Sequence, residues 1–308
     1  MVPGLIDMHA HVFAGQDLGV DPDVVGPETG TTTFIDTGTA GAHTFGAFRR
    51  GTIDRATPRI RAFLNISTIG ITSMLLAGEA ENLAYCDVDA CVGAAREHAD
   101  LILGVKVRAS ANVVGANGDE PLRRAREAAD KLGLPLMVHI GEAPSGIEDV
   151  LAALGAGDVL THCFSGWRDN GLLLDGRIRP SVLAAQKRGV IFDVGHGMGS
   201  FDVEVARALL DQGFAPDTIS SDVHAYAAAR LPDVMSKFLA LGMSLDEVVS
   251  RATLAPARAL GLTSDAADVT VLELVDAPVE WQDTWDHTFP GTQRLRVVHT
   301  IQGGEIVD

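Results

Sequence analysis

Two histidines one residue apart, His9 and His11, stand at the end of the apolar run 2–6. On a strand, residues i and i+2 point the same way, so both imidazoles can reach one metal ion. The smaller residues Ala14, Gly15 and Gly19 follow as a loop, which places the pair where a buried strand emerges. Other groups with ligand chemistry recur at comparable places. Lys106 lies inside Leu103-Gly104-Val105-Lys106-Val107-Arg108, His139 and His162 close two further apolar runs, and Asp222 closes Ile219-Ser220-Ser221-Asp222. An ammonium inside such a run is costly unless it is neutral or paired. Singly, each residue has a bland reading: a histidine bonded to a carbonyl, a lysine snorkelling from a strand end, an aspartate capping a helix. Four histidines, one lysine and one aspartate at equivalent heights on five strands are poorly explained by chance.

The elements that must position them read as alternating strands and helices. Near-continuous apolar runs at 5–13, 32–37, 60–67, 101–107, 136–140, 159–164, 190–194 and 218–223 are strands covered on both faces. Helical patterns fall at 43–50, 88–98, 121–132, 147–154, 181–188, 203–210 and 232–241, with two more at 245–252 and 255–260; Ser244 and Glu247 form a capping box ahead of the first of these two. Eight such units predict an α/β fold, a (β/α)8 TIM barrel over residues 3–262, whose active site belongs at the C-terminal ends of its strands. Residues 263–308 read instead as short antiparallel strands, a small β-layer that needs a sheet or helix to cover its apolar face.

Composition narrows the function. A chain of 308 residues with 46% hydrophobic content buries a large core, and no apolar stretch approaches a membrane span. The net charge of −17 argues against nucleic acid or an anionic membrane as partner and says little about a small-molecule substrate, since a metal or a local arginine can invert the sign inside a pocket. A homo-oligomer is compatible with these features. Cys86, Cys91 and Cys163 have neither disulfide nor zinc-knuckle spacing, and no secretory leader is visible, so the cytoplasm is the expected compartment.

The opening PGLIDMHAH at 3–11, followed in order by Lys106, His139, His162 and Asp222, resembles the amidohydrolase superfamily of metal-dependent hydrolases over nearly the whole barrel. The resemblance implies two divalent metal ions, with zinc expected from the N/O donor set. His9, His11 and Asp222 would bind the more buried ion and His139 and His162 the more exposed one. Lys106, carrying a carbamate derived from carbon dioxide, would bridge them. A single-metal site with Lys106 as a simple amine is the alternative. A metal-activated water attacking a carbonyl, with Asp222 as general base and then acid, would hydrolyse an amide, ester or imide. The stretches GVKVRAS (104–110), PLMVHIGEAP (135–144), DVLTHCFSG (158–166), FDVGHGMGSF (192–201) and TISSDVHAY (218–226) are similar to the dihydroorotase-like branch of amidohydrolases and deacetylases. That likeness implies deacetylation of an N-acyl or O-acyl α-substituted carboxylic acid, with cyclic amide or imide hydrolysis as runner-up and a metal-free scaffold as a more distant reading.

Two further residues are candidates for substrate binding. Arg108 shares a strand face with Lys106 and could hold a substrate carboxylate in a forked pair, or else bridge to an acidic loop. His196, in a glycine-rich loop, could bond a carbonyl or oxyanion, or else be an ordinary satisfied loop histidine. His224, Tyr226 and Trp167 are read as pocket walls. Members of the superfamily carry a β-sandwich half ahead of the barrel, so this sequence is expected to lack that half. Val269, Val271, Leu272, Leu274, Val297, Val298 and Ile301 should then line a face less covered than a core.

Overall fold

Runs of apolar and β-branched residues without polar alternation become parallel strands in a computed structural model that describes residues 1–308 except 77, 143, 145, 228 and 264. Ala143, within the stretch 135–144 that carries part of the resemblance, thus lies outside the described residues. Seven strands, β1 (Leu5–Ala10), β2 (Thr31–Gly41), β3 (Arg59–Asn65), β4 (Ile102–Ala109), β5 (Leu136–Ile140), β6 (Val159–Thr161) and β7 (Ile191–Asp193), pair in chain order, each parallel to its neighbours. The eighth run, 218–223, closes the barrel by single parallel bridges, Thr218 to Asp193 and Val223 to Ala10. It is less regular than expected for a physical reason. Its polar centre bonds sideways: Asp193 accepts the hydroxyls of Thr218 (2.7 Å) and Ser220 (2.8 Å), and Asp7 accepts the Ser221 amide (3.0 Å) and hydroxyl. Asp222 then takes φ 51°, which breaks the extended backbone.

The outer ring comprises α1 (Pro22–Thr29), α2 (Val88–Glu97), α3 (Glu120–Leu132), α4 (Ile147–Ala152), α5 (Pro180–Arg188), α6 (Val203–Asp211), α7 (Leu231–Ala240), α8 (Leu245–Arg251) and α9 (Leu254–Ala259). Asp87 and Asp202 cap α2 and α6, and the Ser244–Glu247 capping box opens α8 as its spacing predicts. α1 was not legible, because Gly26 and Pro27 interrupt its pattern even though Asp21 caps it and Pro22 opens it. The expected helix at 43–50 is a short α-turn, Phe45–Phe48, continuing as a π-helix, Arg49–Ile53.

Inside the barrel, Ile6, Met8, Ile35, Phe63, Met137 and Val159 pack with Ala257 of α9, an apolar plug that confines the polar residues to the opposite end. The larger core fills the layer between strands and helices. A register shift between Asp7 and Ala10 alters the alternation of β1, so His9 and His11 turn inward above Met8.

The tail forms β8 (Val269–Gln282), β9 (Thr288–Gln302) and β10 (Glu305–Ile306), antiparallel, and the two-residue strand Val2–Pro3 joins the edge of β8. One face, with Thr270, Trp281, Phe289, Leu295 and Thr300, is buried against the barrel, where α1 and α7 meet β9. Of the seven residues expected on a thinly covered face, Leu274 and Val298 are exposed and the other five half-buried. Among the described residues no helix is long and apolar enough to cross a membrane.

Candidate metal centre

Three histidines have their tautomers set by neighbouring groups. Thr161 Oγ1 donates its only proton to Asp193 Oδ2 (2.7 Å), so the contact of His9 Nδ1 with Thr161 Oγ1 (2.8 Å) has the ring N–H as donor. Thr39 Oγ1 likewise donates to Asp36 Oδ2 (2.8 Å) and receives His11 Nδ1–H at 2.7 Å. His162 Nδ1–H donates to the Gly195 carbonyl at 2.6 Å. Each ring therefore presents an unprotonated Nε2 to the barrel interior, as outer-shell partners do for metal-ligating histidines.

Those lone pairs converge on a carboxylate. Asp222 Oδ1 lies 3.3 Å from His9 Nε2 and 3.2 Å from His11 Nε2, and it is buried without a hydrogen-bond donor. The ligand atoms of His9, His162 and Asp222 all lie within 4.8 Å of one another. Acceptors facing acceptors at this range repel unless a cation joins them, so the donor set fits a divalent ion. His139 Nδ1 lies 2.7 Å from His162 Nε2, and Lys106 Nζ lies 3.5 Å from His9 Nε2. Two positions hold unusual backbone: His162 at φ 69° and Asp222 at φ 51° are left-handed without being glycine, a strain that clusters at functional sites.

Charge states agree with this geometry. Burial holds His9 and His139 well below the usual imidazole range, His11 at about 3 and His162 at about 4, so all four are neutral ligands in waiting. Burial also lowers Lys106 to about 7, against the pull of Asp222 and Asp193, so a neutral amine is abundant at neutral pH.

A cavity of about 350 Å³ opens at the C-terminal end of the barrel, lined by His9, His11, Lys106, Arg108, His139, Asp222 and His224 on its polar side and Leu18, Ile71, Met74, Ile140, Trp167 and Met198 on its apolar side. At its mouth Asp17 accepts the hydroxyls of Ser73 and Tyr226, each at 2.5 Å, tying three loops together.

The sequence profile of the amidohydrolase family spans residues 1–307. The chain belongs to the amidohydrolase family. Among curated relatives, a deacetylase of Agrobacterium fabrum is 35% identical over 294 residues, 92% of this chain and 72% of that one. A deacetylase of Enterococcus faecalis is 33% identical over 321 residues, covering 99% and 86%. The crystal structure of a dihydroorotase superposes on 99% of this amidohydrolase and 83% of its own chain, at TM-score 0.93 and 33% identity. That of an adenine deaminase gives TM-score 0.93 and 32% identity, covering 99% and 86%.

The fold of this amidohydrolase thus brings His9, His11, Lys106, His139 and Asp222 to the cavity wall, with His162 buried just behind them against His139. Arg108 reaches the same cavity, but its fork is already engaged: Nε and Nη2 donate to Glu79 Oε1 and Oε2, both at 2.7 Å, in a buried pair. The Nε–Nη2 side of the guanidinium is therefore engaged, and its other edge carries Nη1, which contacts Met74 Sδ at 3.9 Å. His196 is not brought to the cavity wall. Its Nε2 accepts from Lys237 (2.7 Å), its Nδ1–H donates to Gly197 O (3.0 Å), and its ring stacks on Phe201, so both nitrogens are occupied and the expected carbonyl contact has no free donor. The supporting residues Asp7, Asp36, Thr39, Thr161 and Asp193 escaped the sequence reading. A legible signal existed for two of them, since Thr161 directly precedes His162 and Asp193 is a carboxylate inside the seventh apolar run.

Proposed function

We propose that this amidohydrolase is a metal-dependent deacetylase acting on an N-acyl or O-acyl α-substituted carboxylic acid. The observation that carries the reading is the convergence of the tautomer-fixed His9 and His11 on the unpartnered Asp222 Oδ1, with the tautomer-fixed His162 within ligand range and a neutral-prone Lys106 beside them. The deacetylase relatives at 33–35% identity support the activity. In this reading His9, His11 and Asp222 would hold one ion and His139 and His162 a second, and Lys106, whose neutral amine would bond carbon dioxide with loss of a proton, would supply an anionic oxygen ligand between them. Zinc suits these nitrogen and oxygen donors. The ions supply Lewis acidity and an activated water at neutral pH. Asp222 Oδ1 takes up a proton and passes it to the leaving nitrogen or oxygen. The Arg108 Nη1 edge attracts the substrate carboxylate, and Ile71, Met74 and Ile140 keep water from the acyl group. Three buried free cysteines support a reducing, cytoplasmic residence.

Metal content measured alongside hydrolysis of N-acetyl-D- and L-amino acids, O-acetyl-2-hydroxy acids and dihydroorotate tests the proposal. Zinc-dependent release of acetate supports it. Turnover confined to dihydroorotate replaces it with cyclic-amide hydrolysis, and an inert protein after metal and bicarbonate are added removes it.

Arg108→Lys isolates the carboxylate contact, because lysine still partners buried Glu79, whereas alanine would leave that charge unpaired at about 3–5 kcal/mol. The expected result is a KM raised roughly tenfold, about 1.4 kcal/mol, for carboxylate-bearing substrates and unchanged for neutral acetyl esters. An equal rise for both classes would contradict the role.

A further inference from the structure

Lys237 on α7 is 5% exposed, and its ammonium donates to two neutral acceptors, His196 Nε2 and the Gln282 carbonyl, each at 2.7 Å. Asp233 and Asp283 attract it from farther away, and Phe201 offers its ring face at 5.8 Å. An apolar side chain would fill this place without the cost of burying a cation, so the choice of lysine calls for a reason.

The reason lies beyond His196. Gly195 and Gly197 flank it at φ 49° and 54°, and both are pressed against the metal centre. A Cβ on Gly197 would stand 2.5 Å from Asp222 Oδ2; one on Gly195 would stand 2.8 Å from His162 Nδ1 and 2.9 Å from His9 Nδ1. The same backbone is bonded to both sides of the site: Gly195 O receives His162 Nδ1–H, Gly195 N donates to Ser220 Oγ (2.9 Å), and Gly197 N donates to Ser221 O (3.0 Å). Residues 195–197 are thus the wall on which His162 and Asp222 rest, and His196 is the side chain that anchors this wall from behind.

We propose that Lys237 is a positioning residue: through His196 it pins the backbone of residues 195–197 and so fixes the directions in which His162 and Asp222 present their donor atoms. Gln282 ends β8, so the tail sheet and the metal centre share this fastening. The inference rests on the reading of His162 and Asp222 as metal ligands.

The test compares wild type with Lys237→Met, Lys237→Arg, His196→Phe and the Met/Phe double variant. Zinc affinity is measured by competition with a chromogenic chelator, kcat and KM on the panel substrate that wild type turns over, and stability by thermal unfolding. Lys237→Met is expected to weaken zinc binding and lower kcat each by roughly tenfold, with KM held within about twofold, the range of outer-shell substitutions at metal sites. Lys237→Arg, which keeps a cationic donor, recovers most of the loss. His196→Phe can still stack on Phe201, matches Lys237→Met and carries the same test if that variant does not fold. The double variant is no worse than either single one, because residues acting in series are not additive. A lowered melting temperature with zinc affinity and kcat unchanged overturns the inference, as do losses that add in the double variant. A wild-type chain that takes up no zinc overturns the ligand reading together with this one.

Discussion

Asp222→Asn is expected to lower kcat by about a thousandfold while leaving the fold intact. Asparagine has the same shape and tolerates the left-handed backbone that Asp222 occupies at φ 51°, so the local strain does not rise. The Asp222 amide still donates to His9 O at 2.7 Å. What disappears is the carboxylate oxygen facing His9 and His11, the atom proposed above to take up a proton. Kinetics over a pH series, with thermal unfolding as control, checks this. A variant within tenfold of wild type would take Asp222 out of proton transfer.

Lys106→Ala should lower bound metal from two ions per chain toward one and reduce kcat at least roughly a hundredfold, the scale of losing one strong electrostatic group in a dry site. Lys106 is fully buried, and burial lowers it to about 7, a condition that exposed lysines do not meet and that bonding to carbon dioxide requires. Alanine removes the amine and its stem together, so relief from burying a polar group offsets part of the lost packing. Metal analysis and the retention of isotope-labelled bicarbonate separate the roles. Two ions and full turnover in the variant would end the bridging assignment, and label absent from active wild type would end the carbamate alone.

Much of the candidate site was legible because apolar runs and the polar residues that end them recur together along the chain. Apolar runs announce barrel strands, and polar residues at the ends of those runs have little reason to be there except chemistry. His9, His11, His139 and His162 are of this kind. The eighth strand was legible in place but not in form, because the carboxylates of Asp7 and Asp193 bond Ser220 and Ser221 alongside its backbone bonds and Asp222 turns the chain to φ 51°. Arg108 shows why partners are harder to read. Glu79 is twenty-nine residues away in sequence, and only the path of the loop between β3 and β4 decides that the two meet. His196 misled because glycines around a histidine suggest an open mouth, whereas here they allow close approach from behind. Lys237 gave no signal at all, since a lysine within an amphipathic helix ordinarily faces solvent.

The closure of the barrel at residues 218–223 has a consequence for how damage would spread. A hoop is only as sound as its weakest stave, and this stave, besides its backbone bonds to the first and seventh strands and the loop at 195–197, depends on the buried carboxylates of Asp7 and Asp193. Asp222 is carried on it. Loosening of this stave would scatter the orientation of Asp222 long before the other seven let go. Wear in this enzyme would therefore register first as lost turnover in a protein that still looks folded.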